Sequence, residues 1–216
     1  MPPRVTDKGY HQGREPANKG RTLPPEILTV DEVDSLLGAC SNRAPTGIRN
    51  RGLIVVLYRG GLRLGETLAL RPKDVDVEAG TITVLHGKGD RRRTVGLDPI
   101  ASSVVARWMD TRRALSIDGR RRLFCTLSGR PLKPSYVRTL LPRLADKVGI
   151  EKRVHPHGLR HTYAYELMME GVPLPIIQKL LGHGSLATTE RYLSHIAPRE
   201  AIERAQQREW NTDLTV

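Results

Sequence analysis

The chain has few aromatic residues and few cysteines, and both shortages limit what it can be. Aromatic residues make up 4% of its 216 residues, so aliphatic side chains must supply most of any core. The two cysteines, Cys40 and Cys125, form no C-x-x-C pair, which argues against a disulfide framework and a cysteine-rich metal site. No apolar run is long enough to span a membrane, and the N-terminus lacks the apolar stretch of a signal peptide. We therefore expect a cytoplasmic protein without a membrane partner.

Positive charge, by contrast, is abundant. The chain has 35 Lys and Arg against 23 Asp and Glu, a formal net charge of +12 at pH 7. Such an excess favours a polyanionic partner, and nucleic acid is the first candidate. An anionic membrane surface fits less well because no strongly basic amphipathic helix stands out. The alternative at this point is a soluble basic protein with no such partner.

The apolar pattern divides the chain into an arm, a folded domain and a tail. Residues 1–24 are polar, basic and interrupted by prolines, which indicates a flexible arm. Helical spacing of apolar residues predicts helices over residues 29–40, 47–58, 64–70, 137–148, 157–170, 173–181 and 186–193, and the tail 198–216 is again helical in composition. Pro142 lies inside one of these helices, where we expect a kink or a break.

One region is typical of strands. Residues 81–85 and 92–97 are rich in β-branched residues and flank a glycine-containing turn, which predicts a β-hairpin. A preceding strand near residues 74–77 would complete a small three-stranded antiparallel sheet. Asp98-Pro99 predicts the start of a further helix, whose buried stripe we expect to be formed by Ile100, Val104, Trp108 and Leu115. The predicted fold class is α+β and mainly helical.

Three short stretches carry groups that can act together on a phosphodiester. They supply two guanidiniums, two imidazoles and one phenol: Arg63, Arg160, His157, His183 and Tyr192. Two fixed cations can hold phosphate oxygens, imidazoles can hold or move protons, and a phenol can attack phosphorus. Together the groups predict an enzyme that transfers DNA strands.

Taken separately, each stretch is a weak signal. His157 and Arg160 share one face of a helix, near an N-terminus whose backbone N–H groups favour anions. A solvated helix face would give the same spacing. Tyr192 alone is more often a packing residue, and Arg63 alone is more often a surface arginine paired with Glu66. Their joint occurrence is what indicates a site.

On these motifs the chain resembles the catalytic domain of the tyrosine recombinases, also called the phage integrase family. The resemblance covers about residues 28–195. It rests on a first arginine box, a lysine in the hairpin turn, a histidine–arginine box and a final box: Gly61-Leu-Arg63-Leu-Gly-Glu66, Lys88, His157-Gly-Leu-Arg160-His161-Thr162, Leu181-Gly182-His183, Thr188-Thr189 and Tyr192. It implies a tyrosine recombinase catalytic domain over residues 25–197, between the arm 1–24 and the tail 198–216.

The resemblance implies a covalent mechanism. Tyr192 would attack a DNA phosphate, form a 3′-phosphotyrosine and free a 5′-hydroxyl. Arg63 and Arg160 would clamp the non-bridging oxygens with planar, permanently charged guanidiniums. A metal pair does this work in other nucleases, so no metal or other cofactor is required. Rejoining needs no ATP, because the intermediate conserves the phosphodiester.

By the same resemblance, three further catalytic residues and one supporting residue complete the site. Lys88 would protonate the leaving 5′-oxygen, and His157 would assist proton transfer at the tyrosine. His183 would hydrogen-bond the phosphate. Glu66 would support the site without reacting.

The implied partner is double-stranded DNA, on which the chain would form a homo-oligomer, the synaptic tetramer, for integration, excision or dimer resolution. The family usually has a helical core-binding domain before the catalytic domain, whereas some two dozen residues precede the first helix here. We therefore expect a fragment, or a short form that relies on a separate core-binding domain or an accessory DNA-binding protein. The tail 198–216 would dock on a neighbouring protomer or on its own domain. Gly158 is a second departure, because the family's residue there is usually larger and polar.

Three other readings compete. A type IB topoisomerase would use the same tyrosine chemistry, but the final box favours a recombinase. A DNA-binding module without cleavage would need a broken catalytic set, and this set is intact. A zinc hydrolase could use His157 and His161, four residues apart, but needs a glutamate directly after the first histidine, where Gly158 stands.

Overall fold

The computed structural model describes residues 26–85 and 92–182. The helices in this part of the chain are α1 (Val30–Gly38), α2 (Pro45–Tyr58), α3 (Leu64–Ala69), α4 (Pro99–Ala114), α5 (Pro134–Lys147), α6 (Pro156–Met169) and α7 (Leu174–Leu181). A 3₁₀ turn, Pro72–Asp74, leads into the strands β1 (Val75–Asp76), β2 (Thr81–Val84) and β3 (Arg93–Gly96).

The predicted fold class is confirmed: a mainly helical α+β domain with one three-stranded antiparallel sheet in the order β1-β2-β3. The arm 1–24, the hairpin turn, the predicted helix 186–193 and the tail 198–216 lie outside the described residues.

The sheet brings one end of β3 towards the helices. β2 and β3 pair in register, with Thr81 opposite Gly96 and Val84 opposite Arg93. Side chains alternate across a strand, so Arg93 and the buried Val95 point to the same face. β3 packs against α7, and Arg93 therefore begins its strand on the side that the helices cover.

Helix α2 is the centre of the core. Its residues from Leu53 to Leu57 are all buried, and it packs against α3, α4 and α6. This segment of α2 is apolar on every side, as expected where protein surrounds a helix completely. The end of α2 is also fixed by polar contacts, because Arg59 bonds Asp98 at the start of α4 (2.8 Å) and Glu166 on α6 (3.0 Å).

Two helix starts, those of α1 and α4, follow the sequence closely. Thr29 and Glu32 form the predicted capping box: the Thr29 N–H donates to Glu32 Oε2 (2.7 Å) and the Glu32 N–H donates to Thr29 Oγ1 (3.2 Å). Asp98 caps α4 by accepting from the Ala101 N–H (2.9 Å), ahead of a proline at the first helical position. Local side-chain chemistry is enough to place these boundaries.

The predicted stripe of α4 is wrong at both ends. Ile100 is 77% exposed and Leu115 is 39% exposed, whereas the face towards the core carries Ala101, Val105, Trp108 and Arg112. The stripe is rotated because small side chains let α4 approach α2 closely: a Cβ on Gly52 of α2 would lie 3.5 Å from Trp108 Cβ. The sequence-based prediction chose Ile100 and Leu115 because they are large and apolar.

The predicted break at Pro142 does not occur. Helix α5 runs from Pro134 to Lys147 with Pro142 inside it. Pro142 is on the exposed side, so the carbonyl that loses its helical N–H partner can bond water. Burial of Val137, Leu141 and the rest of the opposite face holds the helix together.

The turn after α2 requires glycine, and this gives a first prediction. Gly61 has φ +59°, and a Cβ there would lie 2.2 Å from Tyr163 Cδ1. Gly61→Ala should lower the free energy of unfolding by about 2–4 kcal/mol, from left-handed strain plus overpacking. Urea denaturation of Gly65→Ala is the control: Gly65 lies on the exposed side of α3 with no heavy atom within 4 Å of an added Cβ, and its change should stay within about 1 kcal/mol. Equal losses in the two variants would contradict this account.

Candidate active site

The C-terminal turn of α7 collects three arginines from three other elements. Arg93 Nε donates to the carbonyl of Leu180 (3.0 Å), Arg160 Nη2 to that of Leu181 (2.5 Å) and Arg63 Nη2 to that of Gly182 (3.2 Å). Carbonyls at a helix C-terminus lack helical partners and carry partial negative charge, so cations are favoured there. The turn closes at Gly182 with φ +65°, as the sequence predicts for a glycine cap.

Arg63 occupies the N-cap position of α3 and is held by Glu66. The Arg63 backbone N–H donates to Glu66 Oε2 (2.8 Å), and Nη1 donates to Glu66 Oε1 (3.0 Å). The Arg63 side chain remains 38% exposed. Its guanidinium is therefore fixed at one edge and open to solvent elsewhere.

Arg160 on α6 is 1% exposed and links the turn after α2 to the end of α7. Its Nη1 donates to the Gly61 carbonyl (2.5 Å), while Nη2 holds Leu181. Gly61 stands two residues before Arg63, and Leu181 is adjacent to the Gly182 carbonyl that Arg63 contacts. The structure thus brings the two predicted phosphate-binding arginines to the same turn.

His157 lies in the first turn of α6, which begins at Pro156. Desolvation, followed by the positive charges of Arg160, His155 and Arg63, lowers the pKa of His157, although its side chain reaches solvent. Its ring meets that of His161 edge to face, with centroids 4.3 Å apart. A lowered pKa leaves the imidazole neutral at pH 7, so it can accept a proton.

The sequence analysis missed the residue that caps α6. His155 occupies the N-cap position, and its Nδ1 accepts from the Gly158 N–H (2.6 Å). A Cβ on Gly158 would lie 3.2 Å from the His155 ring, a tight contact. The glycine that departs from the family pattern therefore leaves room for the histidine cap.

Glu66 is the buried anion of the site. Its side chain is 6% exposed and also accepts two bonds from Arg93, at 2.9 and 2.7 Å. Burial raises its pKa, but hydrogen bonds and charge from Arg93 and Arg63 outweigh this and lower the pKa to about 2. Arg93 was not among the predicted site residues. The signal was available, since an arginine two positions before Val95 shares the inward face of a strand.

Three predicted site residues, Lys88, His183 and Tyr192, lie outside the described residues and stay predictions. Within residues 26–85 and 92–182, no group of three or more His, Cys, Asp or Glu is arranged to hold a metal ion, and this includes the surroundings of His157 and His161. In the same ranges, no helix has both the length and the apolar character needed to cross a membrane.

Comparison with known proteins identifies the family. The model of the phage integrase family matches residues 26–198, so the chain belongs to the phage integrase family. It is 34% identical over 180 residues to tyrosine recombinase XerC of Halalkalibacterium halodurans, covering 81% of this chain and 59% of the relative. It is 38% identical over 175 residues to XerC of Alcanivorax borkumensis, covering 80% and 56%. The chain thus spans less than two thirds of the length of these relatives.

Solved structures agree with the family and the fold. The crystal structure of XerA recombinase matches with a TM-score of 0.75 and 31% identity, over 91% of this chain and 70% of that one. A post-cleavage complex of the XerH site-specific recombinase, bound to a palindromic difH substrate, matches with a TM-score of 0.70 and 30% identity, over 86% and 54%. The catalytic domain of bacteriophage HP1 integrase, at 22% identity and a TM-score of 0.55, supports the fold alone.

The depressed pKa of Glu66 predicts a pH-dependent stability. A carboxylate with a pKa of about 2, against an ordinary value of 4.5, stabilises the fold fully above its unfolded pKa and loses this as the pH falls towards 2. Between about pH 5 and pH 2, the wild-type free energy of unfolding should fall by about 3 kcal/mol more than that of Glu66→Gln.

Urea denaturation across this pH range measures the difference. Asp110→Asn is the control, because Asp110 forms an exposed pair with Arg113 and should keep the wild-type slope. Parallel curves for wild type and Glu66→Gln would show that Glu66 is not held as an anion.

Proposed function

We propose that this chain is the catalytic domain of a site-specific DNA recombinase that cleaves and rejoins strands through a 3′-phosphotyrosine. The observation that carries the proposal is the convergence of Arg63 and Arg160 on the α7 turn, with His157 on the first turn of α6. Membership of the phage integrase family and the relatives named as recombinases support it.

Arg63 and Arg160 can stabilise the negative charge that a phosphate gains during the reaction. Arg63 uses Nη1 and Nη2 once each on Glu66 and Gly182, and each of these nitrogens carries a second N–H. In the proposed complex these donors of Arg63 contact one non-bridging oxygen, and Arg160, which is 1% exposed without DNA, contacts the other once DNA binding has uncovered its guanidinium. Because the guanidiniums are held in place before DNA arrives, little reorganisation is needed as negative charge develops.

The proton transfers use the remaining groups. Tyr192 oxygen attacks phosphorus, its proton passes to neutral His157, and the bond from phosphorus to the 5′-oxygen breaks as Lys88 protonates that oxygen. His183 donates a hydrogen bond to the phosphate. Attack by a 5′-hydroxyl on the phosphotyrosine reverses the steps, and strand exchange results when that hydroxyl belongs to another strand.

The partners follow from the same proposal. The substrate is double-stranded DNA in the cytoplasm, bound by a synaptic tetramer. The XerH structures with difH substrate, before and after cleavage, support duplex DNA as the substrate class. The tail 198–216 docks on a neighbouring protomer, or alternatively on its own domain.

The covalent step gives the test of the proposal. A nicked suicide substrate that carries the protein's own recombination site should yield a denaturant-stable protein–DNA adduct, and yield it in the presence of EDTA. Tyr192→Phe should abolish the adduct and leave DNA binding nearly intact, since one hydroxyl is lost from a broad electrostatic contact. Gel electrophoresis detects the adduct, and peptide mass spectrometry assigns the modified tyrosine.

Tyr136→Phe serves as the matched control, because Tyr136 lies on α5 and bonds Arg49 and Asn50, away from the α7 turn. It should form the adduct. An adduct that persists in Tyr192→Phe would remove Tyr192 as the nucleophile, and dependence on a divalent metal would place the chain in another mechanistic class.

A further inference from the structure

Arg93 connects three elements at the candidate active site. It begins β3 opposite Val84, and its side chain is 10% exposed. Its Nη1 and Nη2 donate to the two carboxylate oxygens of Glu66 at 2.9 and 2.7 Å, while Nε donates to the Leu180 carbonyl at 3.0 Å. One side chain therefore joins the hairpin to α3 and to the end of α7.

Arg93 is the second cation that stabilises the buried carboxylate of Glu66. A buried carboxylate is costly unless it is paired and hydrogen-bonded. Arg63 supplies one contact from a side chain that is 38% exposed, whereas Arg93 supplies a bidentate contact from a nearly buried one. The planar fork of arginine matches a carboxylate, and lysine offers no equivalent.

The glycine at the end of α7 also leaves space for the Arg93 side chain. A Cβ on Gly182 would lie 2.9 Å from Arg93 Nη1, and Gly182 already needs its positive φ. The carbonyls on either side of Leu181 bind Arg93 and Arg63. The position of the turn from which the chain continues to His183 and Tyr192 thus depends on the same guanidinium.

We propose that Arg93 is a positioning residue for strand cleavage: through Glu66 it fixes the guanidinium of Arg63, and through Leu180 it fixes the turn that leads to the nucleophile. This inference rests on the proposed function. Arg93 itself contacts neither the phosphate nor the nucleophile in this scheme. Its effect on the reaction passes through the geometry and charge state of its neighbours.

The charge state of Glu66 should give cleavage by an Arg93 variant a pH dependence that would not appear if Arg93 only stabilised the fold. Without Arg93, burial still raises the pKa of Glu66 and only part of the opposing charge remains. A protonated Glu66 cannot hold Arg63 equally well, so cleavage should weaken as the pH falls through the raised pKa. Among the described residues, the charged groups that face Glu66 or line the cavity of about 300 Å³ beside it are Arg63, Arg93, Arg71, Lys73, Asp74 and Arg122.

The experiment compares single-turnover cleavage of the suicide substrate by Arg93→Met and Arg93→Lys over a range of pH. Arg93→Met should slow cleavage by about 10²-fold, as expected for a small misplacement of a catalytic group, and should add a loss of rate on the acid side. Arg93→Lys should remove that acid loss, because it restores the charge, but recover little of the rate, because it lacks the fork. Adding Glu66→Gln to Arg93→Met should abolish the extra acid loss.

Arg59→Met is the matched control for loss of a bridging arginine. Arg59 also joins two carboxylates, those of Asp98 and Glu166, and its removal should leave the pH profile unchanged. An unchanged rate and profile in Arg93→Met, or the same acid loss in Arg59→Met, would overturn the role of Arg93.

Titration of Glu66 by ¹³C NMR tests the proposal without DNA. The pKa of Glu66, which is lowered to about 2 in the wild type, should rise in Arg93→Met and fall back in Arg93→Lys. An unchanged Glu66 pKa in Arg93→Met would overturn the inference even where cleavage is slowed. Failure of the wild type to form an adduct would instead overturn the proposed function, and the titration would still decide whether Arg93 controls Glu66.

Discussion

The site depends on hydrogen bonds from three guanidiniums to three successive carbonyls at the end of α7. Like charges gathered in this way repel one another, so the fold must supply negative charge nearby. Two sources are present: the partial charge at the C-terminus of α7 and the buried carboxylate of Glu66. The surrounding structure serves this arrangement, since α3 brings Arg63, β3 brings Arg93 and α6 brings Arg160.

The same concentration of charge explains why a phosphate would bind here. Arginines keep their charge at neutral pH, while desolvation and then the positive charges around His157 lower its pKa and favour the neutral ring. In the proposed function, Arg160 serves as the cation and His157 as the proton acceptor, although they lie on adjacent turns of α6. A tyrosine that must lose a proton while a phosphate gains charge needs both, and the fold holds both in place before the substrate arrives.

Features that depend on neighbouring residues in the sequence were predicted correctly. Features that depend on the packing of distant elements were not. The capping box at Thr29 and the glycine cap of α7 depend on neighbours within a few residues, and both were predicted. The stripe of α4 depends on how closely α2 approaches, which periodicity does not contain, so Ile100 was placed inside although it is 77% exposed. Strand alternation places Arg93 on the inward face, but its partners, Glu66 and Leu180, are distant in sequence, so its place in the site was missed.

Charge neutralisation of the phosphate by Arg63 and Arg160 is the central claim, and the most direct measurement replaces one non-bridging oxygen of the scissile phosphate with a methyl group. This methylphosphonate carries no negative charge, so a guanidinium that serves to neutralise the phosphate becomes dispensable. Single-turnover cleavage should show that Arg160→Ala and Arg63→Ala lose far more activity on the phosphate than on the methylphosphonate. Equal losses on the two substrates would contradict the account, because the arginines would then act through something other than the charge of the phosphate.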